Sequence, residues 1–221
     1  MSEDRAPSGP RNDRPERVDA LTDGVFAIAA TLLVLEVHVP TIPPQHSAAE
    51  LWQSMLEVAP SFVAFAFSFL TILVYWVNHH SLSRVILRYP YRLVWLNLLL
   101  LFWISMIPFT TKFISEYPDE SAAVITYGLV MFLTAVTATL AYCYAAFWSD
   151  AMSPAVTPSA RTRLFRKWSM SILLYLIAML AALVEVKVAL AIYIGVPLMF
   201  FIPALQEGVL DDLGEGDEVL I

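Results

Sequence analysis

The sequence predicts an all-α integral membrane protein with six transmembrane helices, and three observations carry the prediction. Of 221 residues, 58% are hydrophobic and only 15% charged, against about 45–50% and about 25% in a soluble domain. The apolar residues gather into six segments, roughly 18–38, 56–78, 92–112, 121–148, 165–184 and 188–205, each near the ~20 residues that cross ~30 Å of hydrocarbon. Arginines collect in alternate loops, as the positive-inside rule requires of a multi-pass chain.

In chain order, residues 1–16 are polar and carry Pro7, Pro10 and Pro15. They are expected to form a disordered cytoplasmic arm and hold no apolar core of a cleavable signal peptide. Residues 17–206 make the membrane domain, and residues 207–221, "EGVLDDLGEGDEVLI", an acidic cytoplasmic tail. Orientation follows from Arg5, Arg11, Arg14 and Arg17, then Arg84, Arg88 and Arg92, then Arg161, Arg163, Arg166 and Lys167. The opposite loops, "PTIPPQHSAAE", "KFISEYPDE" and "EVK", hold only Lys112 and Lys187. Both termini are therefore expected in the cytoplasm of a cell-membrane protein. Pro60, Pro108, Pro197 and Pro203 are expected near span ends, where a missing N–H is tolerable.

Span one starts "RVDALTDGVFAIAATLLVLEV". Between Gly24 and Leu35 it has no ionisable group, a rise of about 18 Å, so Asp23 and Glu36 lie near the hydrocarbon edges. Such carboxylates face a bundle interior or water, because lipid exposure is costly. Gly24, Ala27, Ala30 and Thr31 allow close helix approach. Ile28, Leu32 and Leu35 form one apolar stripe, which periodicity alone cannot assign to lipid, core or a pore.

Span two ends in "VYWVNHHSLSR", at the same membrane face as Arg17 and Asp23. Trp76, Asn78, His79 and His80 fit an ordinary interfacial helix end. They also fit a network in which a His or Trp donor reaches Asp23 and Arg17 balances its charge, locking helix one against helix two.

Several classes of function recede. The net charge of −7 argues against nucleic acid. With Cys143 as the single cysteine, no intrachain disulfide or thiolate cluster forms. Four histidines are too few for the histidine boxes of membrane oxygenases, so no metal and no cofactor is expected. Gly-x-Ser-x-Gly and His-Glu-x-x-His are absent from the sequence, and with them the usual signs of an enzyme. A cation channel, a proton-coupled carrier using Asp23, Glu36 or the histidines, and a non-transporting accessory protein remain.

"RVDALTD" resembles the Arg-x-x-x-Phe-Ser-Asp signature on the first helix of the transmembrane-protein-175 family of potassium channels, with Leu21 in place of Phe and Thr22 in place of Ser. "YWVNHH" and "RLVWLNLLLLFWISMIPFTT" are similar to the family's second and third helices. The resemblance implies a homotetramer in the bilayer whose first helix lines a central pore for potassium ions, with no carbonyl filter. In that family the constriction begins five residues after the signature Asp. Carried over, this places Ile28 at the narrowest level, with Thr31 or Leu32 and then Leu35 above it, and Arg17, Thr22, Asp23, Trp76, Asn78, His79 and His80 in the supporting network. A weakly potassium-selective channel gated by dewetting is the function so implied.

Overall fold

Local chemistry sets the helix boundaries in the computed structural model, which describes residues 14–201 except 43 and 46. Helix α1 spans Arg14–Leu32 and tightens into a 3₁₀ turn at Leu33–Glu36; α2 spans Ala48–Glu57, α3 Ala59–Ser83 and α4 Tyr91–Glu116. Helix α5 spans Ser121–Cys143 and runs on as a π turn over Tyr144–Trp148; α6 spans Pro158–Ala181 and α7 Val186–Phe201. Pro60 in the first turn of α3 and Pro158 in that of α6 sit where no N–H is needed. Thr157 caps α6 by accepting from the Ala160 N–H at 3.3 Å. In α2, the Ser47 N–H donates to Glu50 Oε2 at 2.7 Å while the Glu50 N–H donates to Ser47 Oγ at 3.3 Å, a capping box.

Four differences from the sequence reading have physical causes. Among the described residues five helices, not six, are long and apolar enough to cross a membrane. The sixth apolar helix, α7, has 16 described residues, about 24 Å of rise. Helix α1 begins at Arg14, inside the expected arm; the rest of that arm, the acidic tail and Pro203 lie outside the described residues. Helix α2 was read as loop, because "PTIPPQHS" hides the capping serine that starts it. Pro108 and Pro197 stand inside α4 and α7 rather than at their ends. The α4 helix runs on to Glu116, since a freed carbonyl is tolerable where neighbouring helices cover it.

Helix α5 is the most buried of the long helices. It packs chiefly against α4 and α6, while α1 packs on α3 and α4, and α7 on α6 and α3. Phe26, Leu33, Ile72, Ile104, Ile107, Val124 and Met131 belong to one continuous core. A second cluster around Tyr142, Ala145 and Met152 lies at the end where the arginine loops meet. There the Leu87 N–H donates to the Ala151 carbonyl and the Ser153 N–H to the Val85 carbonyl, both at 2.8 Å. Arg88 pairs with Asp150 at 2.7 Å. Arg161 donates to the carbonyls of Ala146, Ser153 and Val156 at 2.8, 3.1 and 3.1 Å. These arginines therefore tie loops together.

Small residues permit the closest approaches. A Cβ at Gly128 would collide with the Tyr193 hydroxyl and come within 2.7 Å of Met179 Cγ. That hydroxyl donates to the Val124 carbonyl at 3.2 Å, so displacing it also breaks a bond between α7 and α5. Gly128→Ala should destabilise the protein by ~1–3 kcal/mol, read as a lower melting temperature in detergent. Adding Tyr193→Phe should recover part of that loss, because it removes the atom met first; no recovery would place the strain elsewhere.

Candidate functional site: one helix with two faces

Helix α1 presents a buried face and an exposed one. Thr22, Phe26, Ala29, Ala30 and Leu33 point into the bundle, at the 3.6-residue period of a single helical stripe. The opposite side carries Gly24, Ala27, Ile28, Thr31, Leu32 and Leu35, all exposed. Ile28 is 59% exposed and Leu35 71%, too much for residues that fill a core. The stripe left open by periodicity therefore faces away from this chain's own helices.

A chain of hydrogen bonds fixes which face turns inward. The Thr22 hydroxyl donates to the Val18 carbonyl at 2.8 Å. Its one hydrogen thus spent, it can only accept from Asn97 Nδ2, also at 2.8 Å. The Asn97 Oδ1 is then the acceptor facing His79 Nε2 at 2.9 Å, which places the histidine's proton on Nε2. Thr22 and Asn97 are buried, so α1, α4 and α3 are joined through groups that have no water to fall back on.

Two carboxylates flank this chain. Trp76 Nε1 donates to Asp23 Oδ1 at 2.9 Å, with the indole stacked on His80 at 5.3 Å between centroids. The Tyr89 hydroxyl donates to Asp19 Oδ1 at 2.8 Å. Burial, and then the Asp19 carboxylate that takes its hydrogen bond, push the Tyr89 hydroxyl well above the ordinary tyrosine range. Tyr89 is therefore a donor throughout the physiological range. At the far end of α1, Glu36 pairs with Lys112 of α4 at 3.4 Å.

The expected network and the observed geometry differ at two positions. Arg17 is exposed and makes no ion pair or hydrogen bond among the described residues, so it does not pair with Asp23, which Trp76 reaches as expected. Helix geometry explains this: a six-residue step places Arg17 and Asp23 roughly 120° apart around the axis and about 9 Å along it. Asn78 makes no side-chain hydrogen bond among the described residues and lines an internal cavity instead. Asn97, Asp19 and Tyr89 were missed. Asn97 had a signal, being a lone amide in the run "VWLNLLLLFW", where an intramembrane polar group needs a partner. Asp19 stands four residues before Asp23, on the same face.

This arrangement defines a class of protein: a multi-pass helical membrane protein with one helix anchored inward by polar bonds and exposing an apolar face. The sequence model described as "Endosomal/lysosomal potassium channel TMEM175" matches residues 17–108, which contain most of α1, all of α2 and α3 and most of α4. A potassium channel of Chamaesiphon minutus is 39% identical over 133 residues, 58% of this chain and 64% of that one. A potassium channel of Streptomyces collinus is 40% identical over 119 residues, 52% of this chain and 56% of the other. The matches thus span between about half and two thirds of these relatives' own lengths. The crystal structure of a lysosomal potassium-selective channel TMEM175 homolog from Chamaesiphon minutus superposes with a TM-score of 0.74 at 30% identity, covering 86% of this chain and 97% of that one. The chain belongs to the TMEM175 family.

The geometry makes two predictions. Asn97→Leu strands the His79 Nε2–H and should cost ~1–3 kcal/mol, seen as a lower melting temperature and as aggregation on size-exclusion chromatography. Arg17→Ala should be the milder change of the two, and a reversed order would return Arg17 to the network. For Tyr89→Phe, the loss should be constant from pH 6 to 9. Because the folded hydroxyl titrates above the unfolded one, its contribution is complete below about pH 10 and fades only as pH rises beyond that. A wild-type minus Tyr89→Phe difference in melting temperature that already shrinks by pH 8 would contradict this.

Proposed function

We propose that the chain is the subunit of a potassium-permeable cation channel in the cell membrane, six-spanning with both termini cytoplasmic and assembled as a homotetramer. The observation that carries the reading is the exposed apolar face of α1 opposite a face bonded to α3 and α4. In an assembly with the α1 helices around the axis, Ile28 forms the narrowest ring, followed by Thr31 or Leu32 and then Leu35. Family membership and the potassium-channel relatives of Chamaesiphon and Streptomyces support the choice of ion.

The chemistry follows from what this face can offer. Its side chains are aliphatic apart from Thr31, whose hydroxyl points back to the carbonyls of Ala27 and Ile28 at 3.0 Å. An ion passing an isoleucine ring keeps or sheds water but finds no carbonyl cage. Sodium holds its hydration shell more tightly than potassium, so partial dehydration penalises sodium more. A small rotation of α1 that narrows the ring would empty it of water and close the path. The carrier reading has less support, because Asp23, Glu36 and His79 are each bonded to a fixed partner.

Reconstituted protein in liposomes under a potassium gradient, with a sodium control, tests the activity. Ile28→Asn tests the site. In a pore the asparagines hydrate one another, so the tetramer survives, flux rises and sodium passes more readily. In a packed interface the same change buries an unpartnered amide at ~1–3 kcal/mol, and protein yield and flux fall together. A stable tetramer with wild-type conductance and selectivity would remove Ile28 from the ion path. For orientation, a cysteine at Gln45 should react with an impermeant reagent from outside and one at Ser159 should not; both positions are exposed and the native Cys143 is buried.

A further inference from the structure

The structure leaves Arg17 exposed, with no ion pair or hydrogen bond among the described residues, and its place on α1 says what it faces. Eleven residues separate it from Ile28, three turns and about 20°. The two side chains therefore leave the helix in nearly one direction, about 16 Å apart along it. Leu21 and Gly24 stand between them within roughly 40° of that direction, and both are exposed. The buried side of α1, through Thr22, Phe26, Ala29, Ala30 and Leu33, lies roughly 100–160° away. The face that carries Ile28 thus runs without interruption to Arg17.

The charges at this end of α1 are divided by the same geometry. Asp19 and Asp23 point roughly 140–180° from Ile28, where neutral donors engage them, Tyr89 on the first and Trp76 on the second. Glu16, also exposed, stands about 100° from Arg17 around the axis. The carboxylates turn toward α3 and the loop that follows it, and the guanidinium turns toward the face assigned to the ion path. A guanidinium keeps its charge at every physiological pH and offers donors but no acceptor, so it can repel a cation and cannot coordinate one.

We propose that Arg17 lines the ion path at the N-terminal mouth of α1, where the arginines of the assembled subunits form an electrostatic barrier to cations entering from that side. This rests on the channel reading, since any assembly that turns Ile28 to the axis turns Arg17 the same way. Cations arriving from the Arg17 side meet the repulsion before they reach the Ile28 ring, and those from the other side meet it only after passing the ring. An opening lined by one sign of charge changes the local concentration of ions, so the current carried from the Arg17 side is the smaller one. The asymmetry depends on salt, because screening shortens the reach of the ring from about 30 Å at 0.01 M to about 3 Å at 1 M.

Single-channel currents of the full chain in planar bilayers, in equal potassium chloride on both sides, test this. The ratio of currents at opposite voltages is read for each channel, so its direction of insertion does not matter. Wild type should rectify several-fold at about 0.01 M salt and little at about 1 M. Arg17→Lys, which keeps the charge, should preserve the rectification, and Arg17→Gln should reduce it. In Arg17→Cys, a cationic methanethiosulfonate should restore it and a neutral one should not; the native Cys143 is buried, and treated wild type is the control. Equal rectification in wild type and Arg17→Gln would overturn the proposal, as would an Arg17→Cys channel that neither reagent alters. So would loss of the tetramer on size-exclusion chromatography in Arg17→Gln and Arg17→Cys, since Arg17 would then be held by an acid of a neighbouring subunit. Wild-type protein that carries no potassium current would fail the channel reading itself, whereas a conducting protein indifferent to Arg17 would fail this inference alone.

Discussion

The bond from Asn97 to Thr22 sets the rotation of α1, and most of what this fold can do depends on that rotation. Within a bilayer, helix faces gain little from the hydrophobic effect against one another, because lipid tails are as apolar as leucine. An apolar helix with small residues on several sides could pack in more than one orientation at similar free energy. One amide–hydroxyl bond between buried groups removes that freedom: any large turn of α1 would carry Thr22 away and leave the buried Asn97 Nδ2 without its acceptor. Trp76 and Tyr89, reaching Asp23 and Asp19 one helical turn apart, add leverage at the same end. The apolar packing of Phe26, Ala29, Ala30 and Leu33 then follows from an orientation already decided.

The two ends of α1 are held by different chemistry. The N-terminal end has neutral donors on carboxylates and a buried amide chain. The C-terminal end has one ion pair, Glu36 with Lys112, whose side chains are 25% and 41% exposed. A partly exposed pair contributes little, with a median near 0–1 kcal/mol. The C-terminal end is also where the α-helix gives way to a 3₁₀ turn, with weaker hydrogen-bond geometry. The N-terminal end is thus the fixed point of the helix and the C-terminal end the compliant one. The loops reinforce the asymmetry, since Arg88 and Arg161 knot the connections at the arginine-loop end of the bundle.

Much of this was legible in the sequence, and what was not has identifiable causes. The all-helical membrane class is compositional: long apolar runs are signals that tertiary context rarely cancels, though five helices and not six are long enough to span among the described residues. The two faces of α1 were half legible. The stripe through Ile28, Leu32 and Leu35 could be seen, but its destination could not, because lipid, core and pore all accept aliphatic side chains. The anchor was legible in its residue types and not in its pairings. Trp76 and His79 were recognisable as donors, yet which acceptor each meets depends on the rotation of α3 and α4. The assignment of Arg17 to Asp23 failed because opposite charge was weighed without helical angle. Asn97 was overlooked within an apolar run, where a single amide carries more information than the leucines around it.

The same geometry limits how an ion could be discriminated along α1. Every backbone carbonyl in the body of a helix is committed to an N–H four residues on, and Thr31 turns its hydroxyl back to its own helix. The exposed face from Gly24 to Leu35 therefore presents no oriented dipoles that could replace a hydration shell. On the channel reading, preference for potassium must come from the cost of stripping water and not from the quality of a substitute for it. Such a mechanism tolerates small shifts in side-chain position, because an aliphatic ring needs only a suitable width. It is sensitive to the angle at which the helix is held, because rotation changes which side chain projects inward. A helix whose face is greasy and whose rotation is fixed by one buried amide satisfies both requirements.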